Sequence, residues 1–328
     1  MPFRDLTGHR RLLELTAGAA LRGSLPPSLI FAGPEGVGKR HAAIALAQFV
    51  NCPAPAGLDA CGVCASCSRI ARGVHPDVLF IEPGETGSIR IEQVRDAIDR
   101  SAYRPFEGKR RVVVVDDADA MVPEAQNAML KTLEEPPAGS TFVLVTARPD
   151  VLLPTVRSRC QRLRFGMLAP SEIAAVLEAN HEYSAAEAHA AAAAADGSIG
   201  RALEGGSEEF ATARDAAATL LTGVGSRVDP RSRLDSARAL TGGSGDRDEV
   251  RRRLRAAASL LRDLGLLLSR ADERGLANAD LKPLLSRLMK SFDGDRTLRA
   301  FSAIDRALEA LERNASPKIV ADWVALQI

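Results

Sequence analysis

A glycine-rich loop at residues 33–40, GPEGVGKR, limits the possible folds of this chain more than any other stretch. All but its last letter match the pattern G-x-x-x-x-G-K-[ST], a phosphate-binding loop that joins a strand to a helix. The apolar run 28–32 before it has the composition of a buried strand, and the alanine-rich residues 40–50 after it have that of a helix. The loop therefore predicts an α/β domain that binds a phosphate.

The residue types of the loop suit a nucleotide, either ATP or ADP. Gly33, Gly36 and Gly38 allow backbone N–H groups to face a phosphate. The side chain of Lys39 adds a positive charge for the β- and γ-oxygens. Arg40 replaces the hydroxyl that holds Mg²⁺, so we expect weakened Mg²⁺ binding and weakened hydrolysis. The alternative is a tight turn between a strand and a helix, with no ligand.

Further apolar runs alternate with helical patterns, and together they predict a parallel sheet. These runs lie at residues 77–81, 111–115, 141–146 and 161–165. The run 111–115 contains consecutive valines and is apolar on both faces, as a central parallel strand should be. The first half of the chain is therefore expected to fold as one α/β core.

Two acids, Asp116 and Asp117, follow that central run directly. Asp116 is predicted to lie beside the phosphate loop and to hold Mg²⁺ through water. Asp117 stands where a base would polarise the attacking water, and a glutamate would reach further. Its short side chain is a second sign of slow hydrolysis. The alternative is a solvated acidic turn after a strand.

Four of the five cysteines form a cluster with C-x₂-C spacing, at Cys52, Cys61, Cys64 and Cys67. Such spacing holds sulfur atoms at the separation that a tetrahedral zinc ion needs, so we predict a structural zinc site. Four sulfur ligands leave no open position, and zinc catalysis is therefore not expected. Four free thiols or an iron–sulfur cluster are the alternatives. Cys160 stands apart and is expected to be a small buried residue.

Arginines in two further stretches are candidates for phosphate contacts. Residues 155–160, TVRSRC, place two arginines around Ser158 just before the last predicted strand. An arginine there could reach a phosphate across a subunit boundary, or it could pair with surface acids. Residues 197–203, GSIGRAL, place Arg201 at a helix start after a glycine turn. A solvated arginine is the favoured interpretation of this second stretch taken alone.

The composition changes after residue 166, where strand patterns disappear and alanine becomes frequent. We therefore predict an α/β core at residues 1–166, a small helical domain at 167–205 and further helices at 206–328. Glycine-rich loops are expected at residues 222–230 and 241–246. The heptad-like apolar spacing of the C-terminal helices extends over too few repeats for a coiled coil, and it favours an internal helical bundle.

The bulk composition excludes several classes of function. A net charge of +1 gives no overall attraction to nucleic acid, so contact with DNA must come from a local basic patch or a partner. Aromatic residues make up only 4%, which argues against a base-stacking surface. No apolar stretch approaches the roughly 20 residues of a membrane span, and no signal peptide is recognisable. A cytoplasmic protein without membrane contact is expected.

Taken together, these stretches resemble the clamp-loader branch of the AAA+ ATPases. The matching stretches are GPEGVGK (33–39), the cysteine module (52–67), VVVVDDADAM (112–121), NAMLKTLEEPP (127–137), TVRSRC (155–160) and GSIGRAL (197–203). The resemblance covers about residues 5–205 well and the later helices loosely. It implies an AAA+ P-loop core with a parallel sheet and an inserted zinc module, a small helical lid, and an all-α collar that packs subunits into a hetero-pentameric ring.

The resemblance also implies a function in DNA replication by DNA polymerase III. The assembled loader opens the sliding clamp and places it on primed DNA, driven by ATP in its catalytic subunits. Arg159 would be the finger offered to the ATP of a neighbouring subunit, and Ser158 would help to place it. Thr146 matches the first sensor of the family and Arg201 the second. The implied partners are the gamma/tau and delta subunits.

Departures from the family pattern indicate which type of subunit this is. The hydrolysing gamma/tau type would carry threonine or serine at position 40, glutamate at position 117 and an extension beyond Ile328. Arg40, Asp117 and the chain's length therefore favour a stator that donates a finger and has weak or absent hydrolysis of its own. The alternatives are a hydrolysing gamma/tau-type subunit and a zinc-bearing nucleotide-binding module outside replication.

Overall fold

The computed structural model of the chain describes residues 2–84, 86–204, 206–226, 229–242 and 245–328. It contains two compact units. The first consists of Met1–Ala169 with Ser198–Gly200, and the second of Pro170–Gly197 with Arg201–Ile328. The three-part division at 1–166, 167–205 and 206–328 stays a prediction.

The first unit is built on a five-stranded parallel sheet, which confirms the predicted α/β fold. Its strands are β1 (Ser28–Ala32), β2 (Val78–Ile81), β3 (Arg111–Val115), β4 (Ser140–Thr146) and β5 (Gln161–Arg164). They pair in the order β2-β3-β4-β1-β5. Every residue of β1, β3 and β4 is buried, as expected for strands covered on both faces, whereas the edge strand β5 is mostly exposed.

Helices cover both faces of this sheet. They are α1 (Arg10–Leu21), α2 (Lys39–Asn51), α3 (Ala65–Ala71), α4 (Ile91–Ser101), α5 (Pro123–Glu134) and α6 (Pro154–Arg157). Successive side chains of a strand point to opposite faces, so β1 contributes Leu29 and Phe31 to one core and Ile30 to the other. The first core includes residues of α1, α2 and α3, and the second includes residues of α4, α5 and α6.

The second unit contains helices joined by turns, and no strand lies among its described residues. Helix α9 (Ile199–Leu203) begins in the first unit and ends in the second. The other helices of the second unit are α7 (Pro170–Asn180), α8 (Ala185–Ala194), α10 (Gly206–Ser226), α11 (Pro230–Thr241), α12 (Arg247–Leu268), α13 (Lys282–Leu288), α14 (Gly294–Glu312) and α15 (Pro317–Gln327). The apolar stripe of α12, including Leu254 and Leu261, is buried within this unit. This agrees with an internal bundle.

One predicted loop is wrong. Residues 222–226, expected to be the start of a glycine-rich loop, continue helix α10, while residues 227–228 lie outside the described part of the chain. The glycines here serve packing, since a Cβ added at Gly223 would lie 2.5 Å from Ser236 Oγ on α11. A Cβ at Gly225 would lie 3.1 Å from the ring of Phe292. Small residues let helices approach closely, and the sequence pattern could not separate this use from a turn.

No helix among the described residues is long and apolar enough to cross a membrane.

Candidate functional site

The glycine loop joins β1 to α2 at the carboxyl edge of the sheet. Gly36 and Gly38 have φ angles of 70° and 94°, in the left-handed region that favours glycine. Gly33 is needed for a different reason, because a Cβ there would lie 2.1 Å from the carbonyl oxygen of Phe165. The three glycines therefore meet specific steric demands of a loop that begins a helix.

The turn at Ser198–Gly200 contacts this loop and belongs to the same compact unit. The backbone N–H of Gly200 donates to the carbonyl of Gly36 across 2.9 Å. A Cβ at Gly36 would lie 2.2 Å from Ser198 Oγ, which explains why small residues meet here. The next residue, Arg201, belongs to the second unit, where its Nη1 lies 3.5 Å from Asp196 Oδ2. Its role as second sensor stays a prediction.

The side chain of Lys39 is buried inside its own loop. Its Nζ donates to the carbonyl oxygens of Gly33 at 2.7 Å and Pro34 at 2.6 Å. Burial lowers the pKa of this ammonium group, and the nearby carboxylate of Glu35 counteracts part of that effect. A phosphate would have to replace these carbonyls as the partner of Lys39, and the ammonium charge is already at the site.

Arg40 bridges two acids at the ends of neighbouring strands. Its Nη1 lies 3.0 Å from Asp116 Oδ2, directly after β3, and its Nη2 contacts Glu82, directly after β2. Position 40 offers no hydroxyl for Mg²⁺, and the guanidinium covers the carboxylate that was expected to hold the ion. This donor set does not fit Mg²⁺. Glu82 was not among the predicted site residues, although its place after an apolar strand was a usable signal.

A second acid cluster lies beside the first. Asp117 has a left-handed φ of 46°. Desolvation raises the pKa of its carboxyl group, and the charges of Asp116 and Asp119 raise it further. Burial also acts to raise the pKa of Asp119, but hydrogen bonds from Thr146 and Arg148 outweigh it and lower that pKa. Neighbouring carboxylates are thus placed in different protonation environments.

Thr146, the predicted first sensor, is fully buried at the end of β4. Its hydroxyl donates to Asp119 Oδ1 at 2.6 Å, and Arg148 Nε donates to Asp119 Oδ2 at 2.8 Å. Asp119 therefore fixes the orientation of the threonine. It lies within the matched stretch 112–121, but its role could not be assigned because its partner is 27 residues away. The sensor role of Thr146 stays a prediction.

Arg159, the predicted finger, lies between α6 and β5 and is paired within its own chain. Its Nε donates to Glu134 Oε1 at 2.8 Å and its Nη1 to the carbonyl of Thr155 at 2.8 Å. Ser158 Oγ donates to the same carbonyl at 3.1 Å. Arg157 pairs with Asp150. The pairing of both arginines with acids agrees with the alternative prediction for this stretch, and the finger role stays a prediction.

The four clustered cysteines come together as expected. The sulfur atoms of Cys52, Cys61, Cys64 and Cys67 all lie within 4.8 Å of one another, and those of Cys61 and Cys67 are 4.0 Å apart. A tetrahedral zinc ion with sulfur ligands at about 2.3 Å requires sulfur–sulfur separations of about 3.8 Å. The group can therefore hold a metal ion.

The surroundings of the cysteines support such a site. The backbone N–H groups of Cys61, Cys64 and Cys67 donate to the sulfurs of Cys52, Cys61 and Cys64 respectively, each across 3.4 Å. The N–H groups of Cys64 and Val63 lower the pKa of Cys61 to about 6, which favours the thiolate that binds metals, whereas burial raises the pKa of Cys67. All four are free thiols, so no disulfide competes for the sulfurs.

Comparison of the sequence with known proteins finds similarity to subunits of DNA polymerase III. Residues 8–169 match the family model described as DNA polymerase III, delta subunit. The delta-prime subunit of Pseudomonas aeruginosa is 43% identical over 129 residues, which cover 39% of this chain and 39% of that protein. The delta-prime subunit of Bacillus subtilis is 34% identical over 163 residues, covering 50% and 49%.

Gamma/tau-type proteins are similar as well. The tau subunit of Escherichia coli is 34% identical over 206 residues, which cover 61% of this chain and 32% of that protein. A gamma subunit-related protein of Thermotoga maritima has a TM-score of 0.48 and 20% identity, covering 96% of this chain and 97% of that one. The chain spans between a third and half of the length of these curated relatives. The matched part of the chain, residues 8–169, belongs to the family of DNA polymerase III delta-type subunits, and it is similar to subunits of both the delta-prime and the gamma/tau types.

Proposed function

We propose that this chain is a delta-prime-type clamp-loader subunit that assists ATP hydrolysis on a neighbouring subunit and performs little or none itself. In this role it is a stator within a hetero-pentamer that contains gamma/tau and delta subunits. The complex loads the sliding clamp onto primed DNA, and the protein works with the replication machinery in the cytoplasm. The chain's net charge of +1 is consistent with a DNA contact made through its partners.

The salt bridge between Arg40 and Asp116 carries this proposal. The acid that would otherwise hold Mg²⁺ is engaged by a guanidinium, whose Nη1 is 3.0 Å from Asp116 Oδ2. Phosphoryl transfer depends on a metal ion that neutralises charge on the phosphates, so a site that disfavours Mg²⁺ is a poor catalyst. The short side chain of Asp117 at the position of the catalytic base adds to this effect.

Arg159 is the residue that we propose acts on the neighbour. Its side chain is 31% exposed and that of its partner Glu134 is 50% exposed. An exposed ion pair contributes only about 0.2–1 kcal/mol, so the guanidinium can exchange Glu134 for a phosphate at little cost. Ser158 shares the Thr155 carbonyl with Arg159 and would limit the directions in which the arginine points.

We further propose that the bound ligands are a structural zinc ion and a nucleotide that is held without turnover. Cys52, Cys61, Cys64 and Cys67 would hold the zinc. When bound, the ion supplies no chemistry beyond cross-linking the segment between α2 and α3, because all four positions are sulfur ligands. ATP or ADP would contact Lys39 and the N–H groups of the glycine loop.

A gamma/tau-type ATPase is the second candidate, because the match to the tau subunit of Escherichia coli covers 61% of this chain. Phosphate release by the purified chain alone separates the two. We expect no release above background, and Lys39→Ala should not change the result. Turnover on the order of 1 s⁻¹ that Lys39→Ala abolishes would establish the hydrolysing type instead.

A further inference from the structure

We infer that the glycine loop takes the phosphates of a nucleoside di- or triphosphate without a divalent cation, with Arg40 serving as the fixed cation of the site. This inference rests on the proposed function in one respect, namely that the loop binds a nucleotide. Beyond that function, we infer that the ligand binds without a metal ion and that Arg40 takes the place of the metal.

The position of Arg40 supports this role. It is the second residue of α2, next to Lys39, and its side chain crosses the carboxyl edge of the sheet to reach the ends of β2 and β3. One guanidinium nitrogen pairs with Glu82 and another with Asp116. A guanidinium has five N–H donors in a planar fork, so these contacts do not exhaust it. The side chain is 48% exposed and can still contact a ligand.

The charges at this edge explain why no metal is needed. A magnesium ion in such a site neutralises the strand-end acid together with the phosphates. Arg40 pairs with both Asp116 and Glu82 and offsets part of their combined negative charge, so the acids no longer repel a phosphate at full strength. A divalent cation approaching Asp116 would meet the positively charged guanidinium of Arg40. The fixed cation therefore favours the phosphate and disfavours the metal.

Lys39 remains available for the ligand itself. Its ammonium group donates to the carbonyl oxygens of Gly33 and Pro34, and neither of these acceptors is a carboxylate. A phosphate can take the place of those carbonyls without the loss of an ion pair. The two cations thus have separate tasks, with Lys39 facing the phosphates and Arg40 facing the acids.

Titration of the intact chain with fluorescently labelled ADP tests the inference, once with Mg²⁺ and once in Mg²⁺-free buffer without a chelator, so that the zinc site is left intact. The wild-type dissociation constant should agree within about twofold between the two buffers, since no ion is used. Arg40→Thr should create a requirement for metal, with binding at least about tenfold weaker in the Mg²⁺-free buffer than with Mg²⁺. Arg40→Lys is the matched control, because a single ammonium keeps the charge but cannot bridge both acids with a planar fork.

Zinc content and the melting temperature of each variant show whether it is folded. Wild-type binding that requires Mg²⁺, or the absence of binding in both buffers, would overturn the inference. If the ratio of the dissociation constants in the two buffers is the same for wild type and for Arg40→Thr, the role given to Arg40 is overturned. None of these results tests the finger role proposed for Arg159, because the effect of Arg159 on ATP hydrolysis by a reconstituted loader is measured separately.

Discussion

Arg159 donates from Nε to Glu134 Oε1 across 2.8 Å, which joins the end of helix α5 to the segment before strand β5. The two residues lie in the stretches NAMLKTLEEPP and TVRSRC, both of which contribute to the resemblance to clamp-loader subunits. Glu134 thus holds the proposed finger while no neighbour is present. We interpret the pair as a resting position from which Arg159 moves to a phosphate of the adjacent subunit.

Replacing Glu134 with glutamine should change the DNA-stimulated ATPase of the assembled loader by less than about fivefold, because an exposed ion pair contributes at most about 1 kcal/mol. Arg159→Lys should have a much larger effect, since an ammonium lacks the planar fork that contacts two phosphate oxygens. Steady-state phosphate release measures both variants. Equal losses for the two would show that Glu134 does more than hold the resting position.

Zinc removal should destabilise the first unit. Cys64→Ser is expected to lose the metal and to lower the melting temperature by roughly 5–10 °C, because a structural zinc site contributes several kcal/mol to folding. Metal analysis and thermal melting of the freshly purified protein provide the measurement. Cys160→Ser, at a cysteine outside the cluster, should keep both the zinc and the melting temperature. Well under one zinc per wild-type chain, or unchanged melting of Cys64→Ser, would refute the zinc site.

Nucleotide affinity should depend on the protonation of Lys39. Burial lowers the pKa of this lysine below its ordinary 10.5, and only the charged form attracts a phosphate. Affinity for labelled ADP should therefore fall as the pH rises through that lowered pKa. Lys39→Met should bind weakly at neutral pH and lose the dependence, whereas Lys131→Met, on the exposed side of α5, should retain it. A wild-type affinity that is constant up to the ordinary lysine pKa would contradict this role.

The buried carboxylate of Asp77 should make the first unit sensitive to acid. Burial acts to raise its pKa, but hydrogen bonds from the backbone N–H groups of Glu107, Phe106 and Gly108, and from Arg111, outweigh it and hold the pKa at about 2. Because the folded pKa is below the unfolded value of 3.8, the carboxylate stabilises the fold by roughly 2 kcal/mol above about pH 4. That stability is lost as the pH falls towards 2.

Asp77→Asn should cost roughly 3–5 kcal/mol at neutral pH, because it leaves the buried guanidinium of Arg111 without its carboxylate partner. Urea unfolding at neutral and acid pH measures this loss, and the variant should show a smaller decrease in stability on acidification than wild type. Asp96→Asn is the control, since Asp96 is 70% exposed and its pair with Arg100 should contribute less than about 1 kcal/mol. Equal effects of the two substitutions would contradict the account of Asp77.

The parts of the site that were predictable from the sequence are those encoded by local spacing. The glycine loop and the cysteine cluster depend on residues a few positions apart, whose types alone fix the turn or the ligand geometry. The partners of charged residues were not predictable. Arg40 and Asp116 are 76 residues apart, and Arg159 and Glu134 are 25 apart, so only the order of the strands brings each pair together.

The same limit explains the error in the helical half. A glycine that permits a turn and a glycine that permits close helix packing look identical in one sequence, as the positions of Gly223 and Gly225 in α10 illustrate. The buried leucines around them, including Leu220 and Leu221, were compatible with either interpretation. Contacts with other helices, which a single sequence does not contain, decide between them.

DNA-stimulated phosphate release from a loader reconstituted with gamma and delta subunits tests the central claim most directly. With Lys39→Ala the rate should remain close to that of wild type, because this chain's own loop performs no hydrolysis. With Arg159→Ala most of the rate should be lost, since an arginine finger contributes roughly 10³-fold or more at the site it serves. A rate that survives Arg159→Ala, or one that Lys39→Ala abolishes, would contradict the division of labour proposed for this chain.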